Sequence, residues 1–336
     1  MKYDRYYYSK LNKREKRAYK AIYSAMQNHE PTTTVFGLVE VDLHKLMMAI
    51  NLDNPHLFYV DFSYAENSEL FSQTIELKYI YDKNDTTVLT EKVKKVCNKI
   101  LSRVIGQTDY EKELSLHDIL VENIVYDDVA KNDLAKYRFK SNTIIGPLFY
   151  KTAVCEGIAK TFKFLLNALD IKCIIACGKA NGETENSSES DIKHAWNIVK
   201  IDGQPYHIDL TWDINLSDKN MVRHEYFNLS DDNISVNHEI SPNLPQCRSN
   251  EENYYYKSDL IVENKSDLLG IIYKCIQSGT NTIEFKLCDN VFENETEVMC
   301  FVQKSVGVAT HYSKSFSIAY TATSQQNVYF FLWTFK

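Results

Sequence analysis

The sequence predicts an α+β protein with more than one domain, on the basis of three observations. The chain has 336 residues, which is too long for one ordinary hydrophobic core. Its hydrophobic content of 44% and charged content of 25% are normal for a folded protein, and Gly (10) and Pro (6) are scarce. Segments with helical spacing of apolar residues alternate with short β-rich runs along the chain. We therefore expect two or three domains built from both helices and strands.

The first part of the chain, residues 1–105, is predicted to be an α+β accessory domain. Apolar residues share one stripe in the run 10–28, which predicts a helix, and a second helix over 41–50 ends near "NPH". The runs "LFYVDFSY" and "TIELKYIYD" are then predicted as strands around a polar turn. A third, amphipathic helix is expected over 86–105.

The central part, residues 106–253, is predicted to be the core domain. The run "SLHDILVENIVYDD" begins a helix for which Ser115 is the expected cap, and residues 129–153 are expected to be irregular. The helix "TAVCEGIAKTFKFLLNALDI" and the strand "IKCIIACGKA" follow. A polar loop over 181–191 is interpreted as solvated, with a cover over the cleft as the alternative. The run "HAWNIVKIDGQPYHIDLTWD" (194–213) predicts a β-hairpin.

The last part, residues 254–336, is predicted to be a separate, β-rich accessory domain. One helix, "KSDLLGIIYKCIQ", is expected near its start. The runs "TIEFKLC", "EVMCFVQK", "FSIAYTA" and "NVYFFLWTF" are expected to be strands.

Charge and cysteine usage restrict the class of protein. The net charge of −7 argues against wholesale nucleic-acid binding. No apolar run reaches the roughly 20 residues that span a bilayer, and the N-terminus lacks the apolar region of a secretory signal. We therefore expect a cytoplasmic protein that does not enter a membrane, unless a signal was removed. The eight cysteines form no CxxC pair, which fits reduced thiols, with zinc at Cys173 and Cys177 as a lesser alternative. No cofactor or metal is expected.

A cysteine stands at the start of the central helix. Cys155 shares the apolar face of this helix with Ile158, Ala159 and Phe162, so an inert buried thiol is the ordinary interpretation. At a helix start, however, backbone N–H groups lack partners and the helix dipole favours a thiolate. Gly157 either lets a substrate backbone approach or serves close helix packing.

The hairpin carries a histidine and an aspartate whose positions can be worked out. If the Asp-Gly pair at 202–203 forms a two-residue turn, residue 201 faces 204 and Trp196 faces Asp209. His194 then lies diagonally across from Asp209 on one face of the hairpin. The two backbones are about 7–8 Å apart at these positions, a distance that two side chains can bridge. A bulge at Pro205 would shift this register.

The three residue types in this order are those needed for nucleophilic acyl transfer. The thiol must lose its proton to the imidazole, and the carboxylate must hold the imidazole's tautomer. The sequence therefore predicts a catalytic triad of Cys155, His194 and Asp209 that acts on a protein or peptide amide through a thioester. The oxyanion is expected at the backbone N–H of Cys155, with Asn142 or the Trp196 indole as a second donor or substrate contact.

Three blocks carry a resemblance to a known family. "AVCEGIAKTFKFLLNAL", "HAWNIVKIDG" and "YHIDLTWD" resemble blocks of the transglutaminase-like superfamily. Upstream, "LHDILVENIVYDD" and "SNTIIGPL" resemble segments of its bacterial members. The resemblance covers about residues 110–230. It implies a papain-like α+β core in which Cys155 is the nucleophile, His194 the base and Asp209 the orienting carboxylate.

The chain departs from many relatives at three positions and leaves the reaction open. Ile158 stands where an aromatic residue is frequent, Asp170 stands where Gly ends the helix, and Pro205 stands where an aromatic residue is common. Asp170 can still adopt a left-handed cap. Crosslinking, deamidation and peptide hydrolysis use the same triad, and a catalytically silent scaffold is the alternative. The sequence makes no prediction of oligomeric state.

Overall fold

The computed structural model describes residues 4–36, 41–69, 71–132, 139–181, 192–218, 221–310, 315–323 and 326–335. The contacts divide the chain into two units. The first comprises residues 1–227 and 238–248, and the second comprises residues 228–237 and 249–336. The three-domain division with boundaries at 105/106 and 253/254 stays a prediction. Of the predicted loop over 181–191, residues 182–191 lie outside the described residues.

The first unit begins with helices around a three-stranded sheet. Its helices have largely the predicted positions, and its strands pair in the order β1-β3-β2. Asn12 and Glu15 form a capping box at the start of the second helix, which shows why this helix begins where it does. The helices are Tyr6–Lys10, Lys13–Asn28, Leu43–Asp53 and Lys83–Leu101, and the strands are β1 (Thr32–Phe36), β2 (Val60–Glu69) and β3 (Ser72–Tyr79).

The next helix, Asp109–Val121, begins earlier than predicted. Its cap is Thr108, which forms a capping box with Glu111. The prediction of Ser115 as the cap was wrong. It placed the start of the helix at the beginning of the apolar run, but the first turn of this helix is polar and precedes that run. Ser115 lies inside the helix, and its hydroxyl accepts a hydrogen bond from the backbone N–H of Ile105 at 3.0 Å.

The predicted irregular segment contains short elements. The two-residue strand β5 (Thr152–Ala153) pairs in parallel with β4 (Val125–Tyr126), which lies just before this segment in the run predicted to begin a helix; Tyr126 stands opposite Ala153. A short helix over Asp128–Asn132 and a π-helical turn over Gly146–Tyr150 lie between them. The β4–β5 pair brings Tyr126 close to the start of the following helix.

The helix Cys155–Ala168 packs on a four-stranded antiparallel sheet. The sheet order is β8-β7-β6-β9. Asp170 takes the left-handed conformation (φ 61°) that was expected of it after the helix. The strands are β6 (Lys172–Ala180), β7 (Ile192–Ile201), β8 (Gln204–Ile208) and β9 (His238–Glu239).

The predicted register of the β7–β8 hairpin is confirmed. Ile201 pairs with Gln204, and the pairing continues without a shift to Asn197 and Ile208. Both turn residues, 202 and 203, have positive φ, as a two-residue turn of this type requires. The prediction that the second strand continues to 213 was wrong. Asp209 ends the strand and caps a helix over Leu210–Leu216 by accepting hydrogen bonds from two backbone N–H groups.

The second unit contains a four-stranded sheet with order β10-β11-β13-β12. The predicted strand "EVMCFVQK" was wrong, because this run lies in a helix that Asn294 caps. Val298, Val302 and Val306 are buried at four-residue spacing, so the helix packs one apolar face on the core. The helices are Asp231–Ile234, Tyr254–Lys257, Lys265–Gln277 and Glu295–Ala309, and the strands are β10 (Ile261–Val262), β11 (Thr282–Leu287), β12 (Phe316–Thr323) and β13 (Val328–Phe335).

Along the described part of the chain, no helix combines the length and apolarity needed to cross a membrane.

Candidate active site

Cys155 is the first residue of its helix. The preceding residue, Val154, is extended and provides no side-chain cap, so no side chain occupies the backbone N–H groups of the first turn. The cysteine is partly exposed, whereas Cys97 and Cys173 are buried. The thiol therefore lies at the positive end of the helix dipole with access to solvent.

Gly157 serves close packing of the helix. A Cβ atom at this position would lie 2.2 Å from the carbonyl oxygen of Ser141. The backbone of Ser141 is also tied to the helix start by a hydrogen bond from the Val154 N–H to its carbonyl, at 3.2 Å. Of the two interpretations of Gly157, the structure supports the packing one.

His194 and Asp209 are joined directly. The Nε2 atom of His194 lies 2.5 Å from Oδ2 of Asp209, and both side chains are buried. The other carboxylate oxygen accepts hydrogen bonds from the backbone N–H groups of Thr211 and Trp212 at 3.0 and 3.2 Å. The Cys155 thiol lies close enough to the same imidazole to help raise its pKa. Because Nε2 is engaged by Asp209, the thiol partner must be Nδ1.

The charges of this pair stabilise one another. Burial alone would lower the pKa of His194, but the carboxylate of Asp209 and the neighbouring thiol outweigh it and raise the pKa to about 10. Burial alone would raise the pKa of Asp209, but the His194 imidazolium and a hydrogen bond from His238 hold this pKa well below its usual range. At neutral pH the pair is therefore an imidazolium and a carboxylate.

A third histidine contacts the same carboxylate. Nε2 of His238 lies 2.9 Å from Oδ2 of Asp209, and its side chain is fully buried. This residue was not predicted from the sequence, because it lies 29 positions after Asp209 on a two-residue strand that no apolar pattern marks.

A tyrosine near the thiol was also missed. Tyr126 is partly buried on β4, opposite Ala153 and two positions before Cys155 along the paired strand. Burial, together with the neighbouring Cys155 and nearby carboxylates, including Asp209, raises the pKa of Tyr126 above its usual range. The phenol is therefore protonated and able to donate a hydrogen bond. The sequence signal for this tyrosine is the run "ENIVYDD", which belongs to a segment that resembles the transglutaminase-like superfamily.

The two side chains predicted as second oxyanion donors are engaged elsewhere. The indole N–H of Trp196 donates to Nδ1 of His207 at 2.9 Å, and Trp196 is 1% exposed. The amide nitrogen of Asn142 donates to Oε2 of Glu156 at 2.8 Å. These contacts direct the indole N–H and the amide nitrogen to other acceptors and not to the thiol.

Comparison with known proteins identifies the family of this part of the chain. Residues 98–210 match the transglutaminase-like superfamily. This part of the chain is therefore similar to the transglutaminase-like superfamily. It is 25% identical to the kyphoscoliosis peptidase of Mus musculus over 158 residues, which covers 46% of this chain and 23% of that protein. It is 23% identical to the kyphoscoliosis peptidase of Homo sapiens over 212 residues, covering 58% and 32%.

The chain thus matches about a quarter to a third of the length of these relatives. Among solved structures, it is similar to the crystal structure of a TGase, with a TM-score of 0.30 and 15% identity over 53% of this chain and 50% of that one. The predicted resemblance to the transglutaminase-like superfamily is confirmed by the match over residues 98–210.

A polar cavity lies beside the transglutaminase-like site. Its volume is about 220 Å³, and its walls include Glu156, the residue after the cysteine. Lys160 Nζ contacts Glu156 at 2.7 Å and Asn51 at 2.8 Å, and Asn51 donates back to Glu156 at 2.9 Å. Burial would raise the pKa of Glu156, but Lys160 outweighs it and lowers this pKa, so the carboxylate keeps its charge.

A second group of histidines and carboxylates lies in the same domain. The ligand-type atoms of His117, Asp118 and His224 lie within 4.8 Å of one another, a spacing that a metal ion could use. Asp118 Oδ1 is 2.9 Å from Nδ1 of His117 and 2.9 Å from Nε2 of His224. His117 Nε2 is 3.1 Å from Asp213 Oδ2. These hydrogen bonds account for the cluster as a buried polar network of the transglutaminase-like domain.

Proposed function

We propose that this protein is a cysteine-dependent acyltransferase of protein or peptide amides. The observation that carries the proposal is the placement of Cys155 at a helix start beside the His194 imidazole, which Asp209 Oδ2 holds at 2.5 Å. Each contact has the chemistry that the reaction needs: orientation, proton acceptance and nucleophilic attack. The name of the two relatives, peptidase, supports the same class of reaction.

In the proposed reaction, the proton of the Cys155 thiol already lies on His194 Nδ1 before substrate binds, so the site rests as an imidazolium–thiolate pair. The thiolate sulfur attacks the carbonyl carbon of the amide and forms a tetrahedral oxyanion. His194 returns the proton to the departing amine, the C–N bond breaks, and a thioester remains on Cys155. Asp209 accepts from Nε2–H throughout, so the imidazole keeps one tautomer and one orientation.

The oxyanion requires donors, and the helix start supplies the first. The backbone N–H of Cys155 is one of those that have no partner within the helix. With Asn142 and Trp196 engaged by other groups, we assign the second donor to the phenol of Tyr126.

The second half of the reaction depends on the acceptor. With water as acceptor, His194 deprotonates it, and the product is a cleaved or deamidated chain. With a lysine amine, the same steps give a crosslink. A silent scaffold is the second candidate function, and the engagement of both side-chain donors first expected for the oxyanion is the observation that favours it.

Trapping of the acyl-enzyme separates these functions. The protein is incubated with a library of glutamine-containing and other peptides, quenched in acid, and analysed by mass spectrometry, with Cys155→Ala and His194→Ala as controls. We expect an acyl adduct on Cys155 that both variants lack. Added amine should convert the adduct to a new amide if the enzyme crosslinks. A wild-type protein that forms no adduct with any peptide would favour the scaffold.

A further inference from the structure

Asp209 holds two imidazoles on a single oxygen. Its Oδ2 atom lies 2.5 Å from Nε2 of His194 and 2.9 Å from Nε2 of His238. Its other oxygen is occupied by the backbone N–H groups of Thr211 and Trp212. The orientation of the carboxylate is therefore determined on one side by a helix start and on the other by His238.

The surroundings of His238 leave its ring little freedom. Its backbone pairs with Ala180 in the sheet. Its ring lies 5.1 Å from the Trp196 ring, 4.9 Å from that of Trp212 and 5.9 Å from that of Tyr226, measured between centroids. This fully buried imidazole, with aromatic rings around it, holds its Nε2 atom against Asp209 Oδ2.

Two consequences for His194 follow from this geometry. First, a donor fixed in the core prevents the carboxylate from rotating away when the His194 ring moves between thiol and leaving group. Second, a second hydrogen bond to Oδ2 spreads the negative charge of the carboxylate, which moderates its attraction for the His194 proton. A general acid must release that proton to the leaving amine in every cycle.

We infer that His238 is a positioning residue of the proposed acyl transfer. It fixes the Asp209 carboxylate and limits how strongly that carboxylate retains the proton of His194. The inference rests on the proposed function, because it assigns His238 a role in the same reaction. In this role His238 does not act on the reacting atoms directly, and its effect passes through Asp209.

Several titratable groups share this environment and must be considered in any pH measurement. Asp209 is contacted by His194, which lies on β7, and by His238, which lies on β9. Cys155 contacts the far side of His194, and Tyr126 lies near both Cys155 and Asp209. A substitution at 238 leaves the other four groups in place.

The test compares two substitutions at this position. His238→Phe retains a ring of similar shape but removes the donor, whereas His238→Gln retains an N–H donor at a similar distance from the backbone. The exposed His44, in the first turn of the helix Leu43–Asp53, provides a matched control, His44→Phe. Circular dichroism and thermal melting establish that each full-length variant folds, and rates are expressed per titrated Cys155 thiol.

Substrate-free and substrate-dependent measurements are made on the same samples. By NMR of the labelled imidazole, we expect His194 in His238→Phe to lose its proton at a higher pH than in the wild type. With a peptide substrate, we expect kcat to fall about tenfold to hundredfold, the range that outer partners of catalytic groups carry, with KM nearly unchanged. His238→Gln should recover most of both properties, and His44→Phe should match the wild type.

Each outcome has one meaning. A folded His238→Phe with the wild-type His194 titration and the wild-type kcat would overturn the role of His238. If His238→Phe does not fold, His238→Met, which also lacks the donor, takes its place, with the same expected rise in the pH at which His194 loses its proton and the same fall in kcat. If the wild type forms no acyl-enzyme although His194 titrates as described, the proposed function fails, and the NMR comparison still decides whether His238 governs the His194–Asp209 pair.

Discussion

Cys155 differs from the other thiols of this protein in both exposure and neighbours. Burial raises the pKa of Cys97 to about 12. Burial, with the charges of Glu156 and Cys155, also raises the pKa of Cys177 to about 12. Both groups are therefore protonated at neutral pH and poor nucleophiles. Cys155 is partly exposed, begins a helix and contacts an imidazole that carries a proton.

We therefore expect Cys155 to be the most reactive thiol at neutral pH. Limited iodoacetamide labelling of the native protein, followed by peptide mapping, measures the rate at each cysteine. The exposed Cys300 is the reference thiol, because it measures what exposure alone provides. Labelling of Cys155 should be faster than that of Cys300, and His194→Ala should remove the difference. Labelling of Cys300 or Cys247 with Cys155 untouched would contradict the assignment of the nucleophile.

The assignment of Tyr126 as an oxyanion donor leads to a second expectation. Tyr126→Phe removes one hydroxyl and keeps the ring, so the packing of β4 is retained. Loss of one donor to the oxyanion should lower kcat about a hundredfold and leave KM nearly unchanged, because the donor acts on charge that develops only in the transition state.

The control for this experiment is the rate of Cys155 alkylation, which needs no oxyanion and should remain within about twofold of the wild type. Equal loss of alkylation and turnover would mean that Tyr126 acts on the thiol or on folding, not on the oxyanion.

At the residue scale, the sequence predicted the groups that local chemistry marks. His194 and Asp209 could be related because the turn at 202–203 determines the register of the hairpin. His238 and Tyr126 could not be related to them, because each arrives on a two-residue strand from a distant part of the chain. The competing partners of Trp196 and Asn142 were hidden for the same reason, since a sequence shows which donors exist but not which acceptors they meet.

At the scale of secondary structure, the start of the Cys155 helix depends on close backbone contact. The first turn approaches the carbonyl of Ser141, and Gly157 leaves no room there for a side-chain carbon. In the helix Lys265–Gln277, Gly270 is exposed, and a Cβ atom there would have no neighbour within 4 Å among the described residues. Both glycines lie within helices, but one is in close contact with a neighbouring backbone and the other faces open space.

Replacement of each glycine by alanine should therefore have opposite effects. Gly157→Ala places a carbon 2.2 Å from a backbone oxygen, so we expect it to lower the free energy of unfolding by about 2 kcal/mol or more. Gly270→Ala should raise it by about 0.5–1 kcal/mol, because alanine loses less backbone entropy in a helix. Urea denaturation measures both. Similar effects of the two substitutions would show that helix propensity, and not contact with Ser141, governs position 157.

The same scale shows which elements a sequence pattern can predict. Long amphipathic helices such as Lys83–Leu101 were predicted because their apolar spacing persists over several turns. The run "EVMCFVQK" was misassigned because eight residues rich in Val, Cys and Phe suit either a strand or one face of a helix. The segment after Asp209 was misassigned because its apolar alternation also fits a helix that an aspartate caps.

At the scale of the first unit, the N-terminal part of the chain contributes directly to the helix that carries Cys155. Asn51 bonds both Glu156 and Lys160 of that helix. Lys163 Nζ donates to the backbone carbonyl of Asp4 at 2.7 Å, and the hydroxyl of Tyr7 donates to the backbone carbonyl of Ile175 at 2.5 Å. The segment predicted as an accessory domain is therefore tied to the core by polar contacts, and its removal would take away part of the hydrogen bonding of these core groups.

The stability of the fold should depend on pH through the buried His194. Its pKa is raised from 6.5 to about 10 in the native state, chiefly because Asp209 outweighs the effect of burial. Between these two values the native state binds a proton that the unfolded state has released, so the free energy of unfolding falls as pH rises. This contribution is complete below about pH 6.5 and lost as the pH approaches 10. The contribution of Asp209 has the opposite sign and is lost only in acid.

Comparison of the wild type with His194→Gln isolates this contribution, because the other titrating groups are common to both proteins. Chemical denaturation at intervals from pH 6 to pH 10 should show a steeper loss of stability in the wild type, reaching a difference of a few kcal/mol over the range. Asp209→Asn should also flatten the curve, since the imidazolium is stabilised by the carboxylate charge and not by the shape of the side chain. Parallel curves for the wild type and His194→Gln would mean that His194 is neutral in the native protein at neutral pH, and the imidazolium–thiolate pair would then have to form only when substrate binds.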